Sequence, residues 1–453
     1  MLGPFLDRLG FFDVYSSPWF AGVYLLLFVS LIGCVLPRSR QHWKAMRAPP
    51  PPAPRRLDRL PVCVEVETDV DPDRVIATAR QTLNAKRWRL RESGADERSR
   101  WIAAEKGFLR ETGNLIFHLS LVFLLVGVAV GGLFGWKGNV IVKEGEGFSD
   151  TLTQFDAWGG GRFVNPETLT PFSFTLNRFQ VDFERGDAQR GAPRMFAADV
   201  TTRSMLDATS ETTTIGVNEP LDFEGTKVFL VGHGYAPRIV ITDSTGATVF
   251  DDDVVFLPQD GNMTSTGVVK VPDSSPPLGI SGVFLPTARF DSMRGPFSSF
   301  PAPDDPRLLL SIFTGDLGLD SGVPSSVFTL DTSTLTRVDL ASLRVGDTLT
   351  LADGSGTVKF ASLDRWASFQ IAYDPGKELV LAGAVAALCG LLMSLFVRRR
   401  RIWVKVVARP DGGTVVQVAG LAKTEAVNLP DEVADLASRL GAAAGSGTKE
   451  IQA

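Results

Sequence analysis

At 453 residues and a formal net charge of −5, the chain has room for two or three domains and no basic excess with which to hold nucleic acid. Hydrophobic content is 44%, ordinary for a soluble protein, so any membrane signal must come from local runs. The three cysteines, Cys34, Cys63 and Cys389, leave residues 135–378 with none, which excludes a disulfide or a thiol redox site in that stretch.

Residues 1–18 (MLGPFLDRLGFFDVYSSP) precede the first of three apolar runs. These are Trp19–Leu36, Leu115–Phe134 and Leu379–Val397, and none contains Asp, Glu, Lys or Arg. About 20 apolar residues cross ~30 Å of hydrocarbon, so the runs predict transmembrane helices over 19–36, 113–134 and 379–397. Arg38, Arg40, Lys44, Arg47, Arg55 and Arg56 follow the first run, Lys106 and Arg110 precede the second, and Arg398–Arg401 follow the third. Basic flanks belong on the cytoplasmic side. That places 37–112 and 398–441 inside, and 1–18 and 135–378 outside. An external N-terminal segment with no signal peptide to carry it leads us to expect a further upstream helix that this chain does not include.

Inside, PPPPAP at 49–54 predicts a stiff polyproline II linker. VCVEVET, WRLRES and SRWIAAE read as strands, and DPDRVIATARQTLNA as a capped helix. Beyond the third run, IWVKVVA and TVVQVAG flank a PDGG turn, and PDEVADLASRL reads as a helix. Each piece is too small to bury much surface alone, so the two are expected to combine as one small α+β domain. Residues 442–453 are expected to be a disordered tail. Outside, 135–378 is a series of short β runs between turn signals: FSFTLNRFQVDFE, TKVFLVGHGY, RIVITDSTGATVFDDDVVF, VFTL and DTLTLADGSGTVKF. An all-β, sandwich-like domain follows, with 285–325 as a surface excursion.

Several segments together resemble the ResB/CcsB family of System II cytochrome c maturation. They are FDVYSSPWFAGVYLLLFVSLIGCVLPR (12–38), GFLRETGNLIFHLSLVFLLVGV (107–128), VNEPLDFEGTKVFLVGHGYAP (217–237) and FQIAYDPGKELVLAG (369–383). The resemblance implies a four-helix membrane subunit, of which this chain lacks the first helix, in the bacterial plasma membrane. It implies work with a ResC/CcsA-type haem-handling protein, passing haem b outward and attaching it to CxxCH motifs of apocytochrome c. A thioredoxin-like thiol reductant is a further expected partner. The tryptophan-rich WWD haem motif belongs to the partner family and does not occur here, so the chain is expected to be a non-catalytic or co-catalytic subunit.

His118, one of three histidines, falls about five residues past the boundary at Gly113, roughly 8 Å into the inner half of the bilayer at ~1.5 Å per residue. An intramembrane ionisable residue points to function. Glu111, Asn114 and His118 share one helical stripe, and neutral imidazole is a suitable axial ligand for haem iron, with Asn114 placed to fix its tautomer. The resemblance implies the same role, since family members use a transmembrane histidine from this subunit. The opposing expectation is a histidine hydrogen-bonded between helices for packing alone. Gly127, Gly131 and Gly135 on the far face, with Gly383/Ala387 and Ala386/Gly390 in the last helix, would let another helix approach closely. His233 reads as a surface or turn residue, His42 and Trp43 as interfacial, Cys34 and Cys389 as packing residues, Asp374-Pro375-Gly376 as a turn, and Asp251–Asp253 as a solvated strand edge. Two rivals stay open. One is an anchored scaffold that recruits apocytochrome or a thiol reductant without touching haem; the other is a signalling protein, which the cytoplasmic pieces do not favour.

Overall fold

The structure, a computed structural model, describes residues 3–93, 100–169, 171–204, 210–293, 295–319, 326–409, 413–422 and 428–442. The expected tail beyond Ala442, which is helical, and most of the PDGG turn therefore lie outside the described residues. The chain divides into two compact units, one of residues 1–129 with 376–453 and the other of residues 130–375.

The first unit contains α1 (Gly3–Arg8), α2 (Pro18–Arg47), α3 (Pro72–Ala85), α4 (Leu109–Phe134, which runs on into the second unit), α5 (Lys377–Phe396) and α6 (Leu429–Ala442). Three of these, α2, α4 and α5, are long and apolar enough to cross a membrane. Side chains such as Leu26, Val29, Leu388 and Leu395 are exposed, so these helices present apolar faces that the protein itself does not cover.

α2 runs well past the expected end at residue 36. Ser17 caps it by accepting from Phe20 N, Pro18 takes the first turn, and Pro37 lies within the helix. Proline removes one backbone hydrogen bond but leaves the flanking turns intact. The following RSRQHWKAMR is rich in strong helix formers, so the helix continues to Arg47.

A five-stranded antiparallel sheet is built from both ends of the chain. Its order is Val62–Thr68, Thr414–Ala422, Arg400–Ala408, Arg100–Lys106, Arg89–Glu92. Strand alternation gives it two apolar faces. Ile102, Ala104, Val404 and Val418 pack with Val75, Ala79 and Leu83 of α3 and Val433, Leu436 and Leu440 of α6. Trp101, Ala103, Trp403 and Ala419 form the other face with Leu57 and Ala53. The proline run is not a free spacer but a strap across that face. Trp403 Nε1 donates to Pro51 O at 3.2 Å, Arg91 to Pro50 O at 3.3 Å and Arg89 to Ala48 O at 2.7 Å. Proline carbonyls have no partner of their own within such a run, so they are available to these donors.

The second unit is all-β in its sheets. Its spine is the antiparallel pair Thr226–Asp243 and Gly356–Tyr373, each of 18 residues. Strands this long exceed the usual five or six, and register shifts at Leu230/Gly232 and Arg238/Ile239 break the ladder. One half of the spine (Val228, Phe369, Ile371) packs with Phe148, Phe174, Leu176 and Val200 of a four-stranded sheet. The other half (Ile239, Ile241, Val358, Phe360) packs with Val269, Ile280, Leu310 and Ile312 of a five-stranded sheet. The single sandwich expected from sequence is thus two sandwich-like cores on one shared ribbon. Two local expectations also fail. Residues 327–330 (VFTL) form no strand, and the expected excursion contains Arg307–Thr314, a strand paired on both sides.

His233 is not a surface histidine. It lies among Phe179, stacked at 5.1 Å, Phe196 at 5.2 Å and Phe183 at 6.4 Å, and burial followed by the nearby Arg365 guanidinium pushes its pKa down to about 4. Asp251 and Asp252 are paired, with Arg238 and Lys143 at 2.7 Å each.

Asp150 gives a pH prediction. Both its carboxylate oxygens are buried without a partner, and burial pushes its pKa up to about 6. A carboxyl whose folded pKa exceeds its unfolded value near 3.8 opposes folding once ionised, so its penalty is absent below pH 3.8 and complete above pH 6. Asp150→Asn should therefore stabilise the protein by about 1–2 kcal/mol at pH 7.5, discounting for partial solvent access, and by almost nothing at pH 4. Thermal unfolding of the full chain at the two pH values reads this; equal gains at both would show that the carboxyl is not the cause.

Candidate functional site: a histidine-lined cavity between two membrane helices

α4 carries two faces. On one, Gly113, Phe117, Ser120, Leu124 and Gly127 alternate by four and three residues, and so do Val380, Gly383, Ala387, Gly390 and Ser394 of α5. This spacing keeps a seam facing a partner along the helix. A Cβ on Gly113 would stand 2.6 Å from Met393 Cβ, one on Gly390 2.6 Å from Phe117 N, and one on Gly127 2.7 Å from a Val380 methyl. The two helices touch backbone to backbone because no side chain intervenes. Gly131 and Gly135 meet other groups: a Cβ there would lie 2.6 Å from an Asp374 oxygen and 2.3 Å from the Gly131 carbonyl, respectively.

The other face meets α2. Tyr24 Oη donates to the carbonyl of Leu125, and 13 residues earlier on α4 Thr112 meets His42. Between α2 and α4 lies a cavity of about 350 Å³ lined by Val35, Arg38, Gln41, His42, Ala45, Glu111, Asn114, Leu115 and His118. It therefore contains every candidate ligand residue expected from sequence and a second histidine that was not.

Elementary bonding rules assign both imidazoles. His118 Nδ1 lies 2.7 Å from the Asn114 backbone carbonyl. A carbonyl only accepts, so Nδ1 carries the proton and Nε2 keeps its lone pair. The tautomer is set by the backbone of Asn114, not by its amide side chain. His42 is only 8% exposed, and its Nε2 stands 3.0 Å from Thr112 Oγ1. That hydroxyl donates to the Phe108 carbonyl at 3.3 Å, so it accepts from His42 Nε2–H, and His42 Nδ1 is left with a lone pair. Nδ1 is buried, has no hydrogen-bond partner among the described residues, and is 3.8 Å from Glu111 Oε2.

Glu111 does not face the cavity as a bare charge. Arg399 forks between Glu111 and Glu105, and Arg401 adds a 2.9 Å bond to the same Glu105, which is 3% exposed. Two guanidinium groups neutralise two carboxylates at the base of α4, as burial demands. The cavity is thus lined by His118, whose Nε2 carries a lone pair, by the Arg38 guanidinium and by an apolar wall, while His42 Nδ1 is closed off beside Glu111. Neutral imidazole is a ligand for transition metals rather than for hard cations such as magnesium or calcium. Among the described residues no group of three or more His, Cys, Asp or Glu could hold a metal ion.

His42 was missed because Pro37 and the basic stretch read as the end of a helix. The signal was present: Val35, Arg38, His42 and Ala45 are spaced by three, four and three residues, a single stripe once the helix is allowed to continue.

A family model for ResB-like proteins matches residues 1–434. The chain belongs to the ResB-like family. Relatives include the "Cytochrome c biogenesis protein CcsB" of Gloeobacter violaceus, 23% identical over 406 residues, a span of 88% of this chain and 72% of that protein. The protein of the same name from Synechococcus sp. (strain CC9311) is 26% identical over 439 residues, 94% of this chain and 83% of that one. A match in Synechococcus sp. (strain JA-3-3Ab) is 27% identical over 225 residues, 49% of this chain and 42% of the relative. Both the α2–α4 cavity and the α4–α5 glycine seam lie inside the part matched by the ResB-like family.

Proposed function

We propose that the protein is the haem-holding subunit of a cytochrome c biogenesis complex in the bacterial plasma membrane. Haem b is its cargo, received in the α2–α4 cavity and passed outward. The observation that carries this reading is the Nδ1–H bond of His118 to the Asn114 carbonyl, which leaves Nε2 as a ready axial nitrogen on a rigid helix. Arg38 in the same wall supplies a cation for a carboxylate side chain of the cargo.

At about 350 Å³ the cavity is near the low end of the ~300–1,000 Å³ typical of small-molecule pockets. It would hold one edge of a macrocycle, and a ResC/CcsA-type partner would supply the rest of the site and the second axial ligand. The basic flanks support a cavity in the cytoplasmic leaflet and a β-rich unit outside, where apocytochrome c and its CxxCH thiols would be met. With no cysteine between residues 135 and 378, thiol chemistry falls to a partner such as a thioredoxin-like reductant.

The test is haem stoichiometry. The full chain, purified with its haem-handling partner from cells making cytochrome c, should carry about one haem per complex. A complex that is intact, competent in maturation and free of haem would favour an anchored scaffold instead.

A further inference from the structure

A second cavity, of about 630 Å³, lies where α4 begins and α5 ends. Its lining is Lys106, Gly107, Leu109, Phe396, Val397, Arg398, Arg400 and Asn428. Three of these eight are basic and none is acidic. Gly107 makes the tight turn into α4 at φ +97°, and a Cβ there would stand 2.1 Å from the Arg398 carbonyl, so the two chain segments close the floor backbone to backbone.

Arg400 and Lys106 keep donor capacity or charge that the protein does not use. Arg400 Nη2 pairs with Glu432 at 3.0 Å, while its Nε is buried with no partner among the described residues. Lys106 Nζ donates to the Lys86 carbonyl at 2.9 Å, a neutral acceptor that leaves its charge uncompensated. The mouth has the opposite chemistry: Leu109 is 57% and Phe396 79% exposed, each at the terminal turn of a membrane-length helix. Basic floor and apolar lip therefore stand at the level where a bilayer changes from headgroup to acyl chain.

We propose that this cavity is a binding site for an anionic phospholipid. The headgroup phosphate sits among Lys106, Arg398 and Arg400, and the acyl chains run out along Leu109 and Phe396. Basic pockets beside membrane helices hold anionic headgroups, each Lys or Arg near the surface adding to the attraction, and phosphate suits the guanidinium fork. Occupied, the site ties the ends of α4 and α5 to the sheet strands that begin at Arg100 and Arg400. The proposal does not depend on the haem reading.

The experiment uses the full chain in detergent, titrated with phosphatidylglycerol and followed by native mass spectrometry. Wild type should retain one phosphatidylglycerol per chain at concentrations where phosphatidylcholine is lost. The double variant Lys106→Gln/Arg398→Gln should bind it about tenfold or more weakly, and Leu109→Trp, which fills the mouth without changing charge, should weaken it too. Lys44→Gln/Arg47→Gln, basic residues of α2 outside the cavity, should change nothing. Equal losses from both charge variants would mean diffuse surface attraction and overturn the site. Displacement by millimolar inorganic phosphate would mean a soluble anion is the ligand and overturn the lipid. Retention of phosphatidylcholine to the same degree would overturn it as well.

Discussion

Replacing His118 by alanine should give a complex that accumulates normally but carries at least about tenfold less haem, with cytochrome c maturation falling in step. Even groups that merely support a metal ligand are worth 10–100-fold in metal affinity, so removing the ligand atom itself should cost no less. The structure explains why the helix should survive. His118 makes its one hydrogen bond among the described residues to a carbonyl of its own helix and faces the α2 side, away from the glycine seam with α5. Alanine is the best helix former and is apolar, so insertion is not impaired. Imidazole in the medium should partly restore haem content by entering the vacated space. A packing histidine predicts the reverse: less protein, with the haem content of what remains unchanged.

The second large effect concerns that seam. Gly390→Leu should abolish accumulation of the folded protein, because the new Cβ would stand 2.6 Å from Phe117 N and 2.7 Å from the Gly113 carbonyl. Both are backbone atoms of α4, which cannot swing aside as a side chain would. The helices must separate, at a cost of at least about 3 kcal/mol, the upper end of ordinary overpacking. Gly22→Leu on α2, where nothing lies within 4 Å, is the control and should be tolerated. Protein level and protease resistance in membranes measure the contrast. Comparable levels for the two variants would show that the α4–α5 contact does not hold the helices together. The pair of variants at His118 and Gly390 also separates ligand from scaffold, since the first changes haem per complex and the second the number of complexes.

The three membrane helices were visible in the sequence because an uncharged run of about 20 residues matches the thickness of hydrocarbon and seldom occurs in a soluble core. The sequence was a poorer guide to where α2 ends. Pro37 and the arginines after it carry the local marks of a stop, whereas the helix persists on propensity and on contacts that form only when α4 lies alongside, such as His42 with Thr112. The cavity was therefore half legible: Glu111, Asn114 and His118 share a stripe within one run, while His42 comes from about 70 residues earlier. The β-rich unit shows the same limit. Individual strands such as Phe172–Phe183 follow from alternation, but the pairing of Thr226–Asp243 with Gly356–Tyr373 joins segments more than a hundred residues apart. Nothing local states that one ribbon will serve two cores. The proline strap is a further case: its composition gives an extended backbone, while its attachment depends on Trp403 and Arg91, which arrive from elsewhere in the chain.

The central claim is that His118 Nε2 meets haem iron, and exchanging the ligand atom tests it more directly than deleting it. His118→Met places a thioether where the imidazole stood, and methionine in place of histidine raises the reduction potential of a haem. The haem of the purified His118→Met complex should show a sulfur-to-iron charge-transfer band and a higher midpoint potential than wild type. A haem retained with unchanged absorption spectrum and unchanged potential would contradict the account.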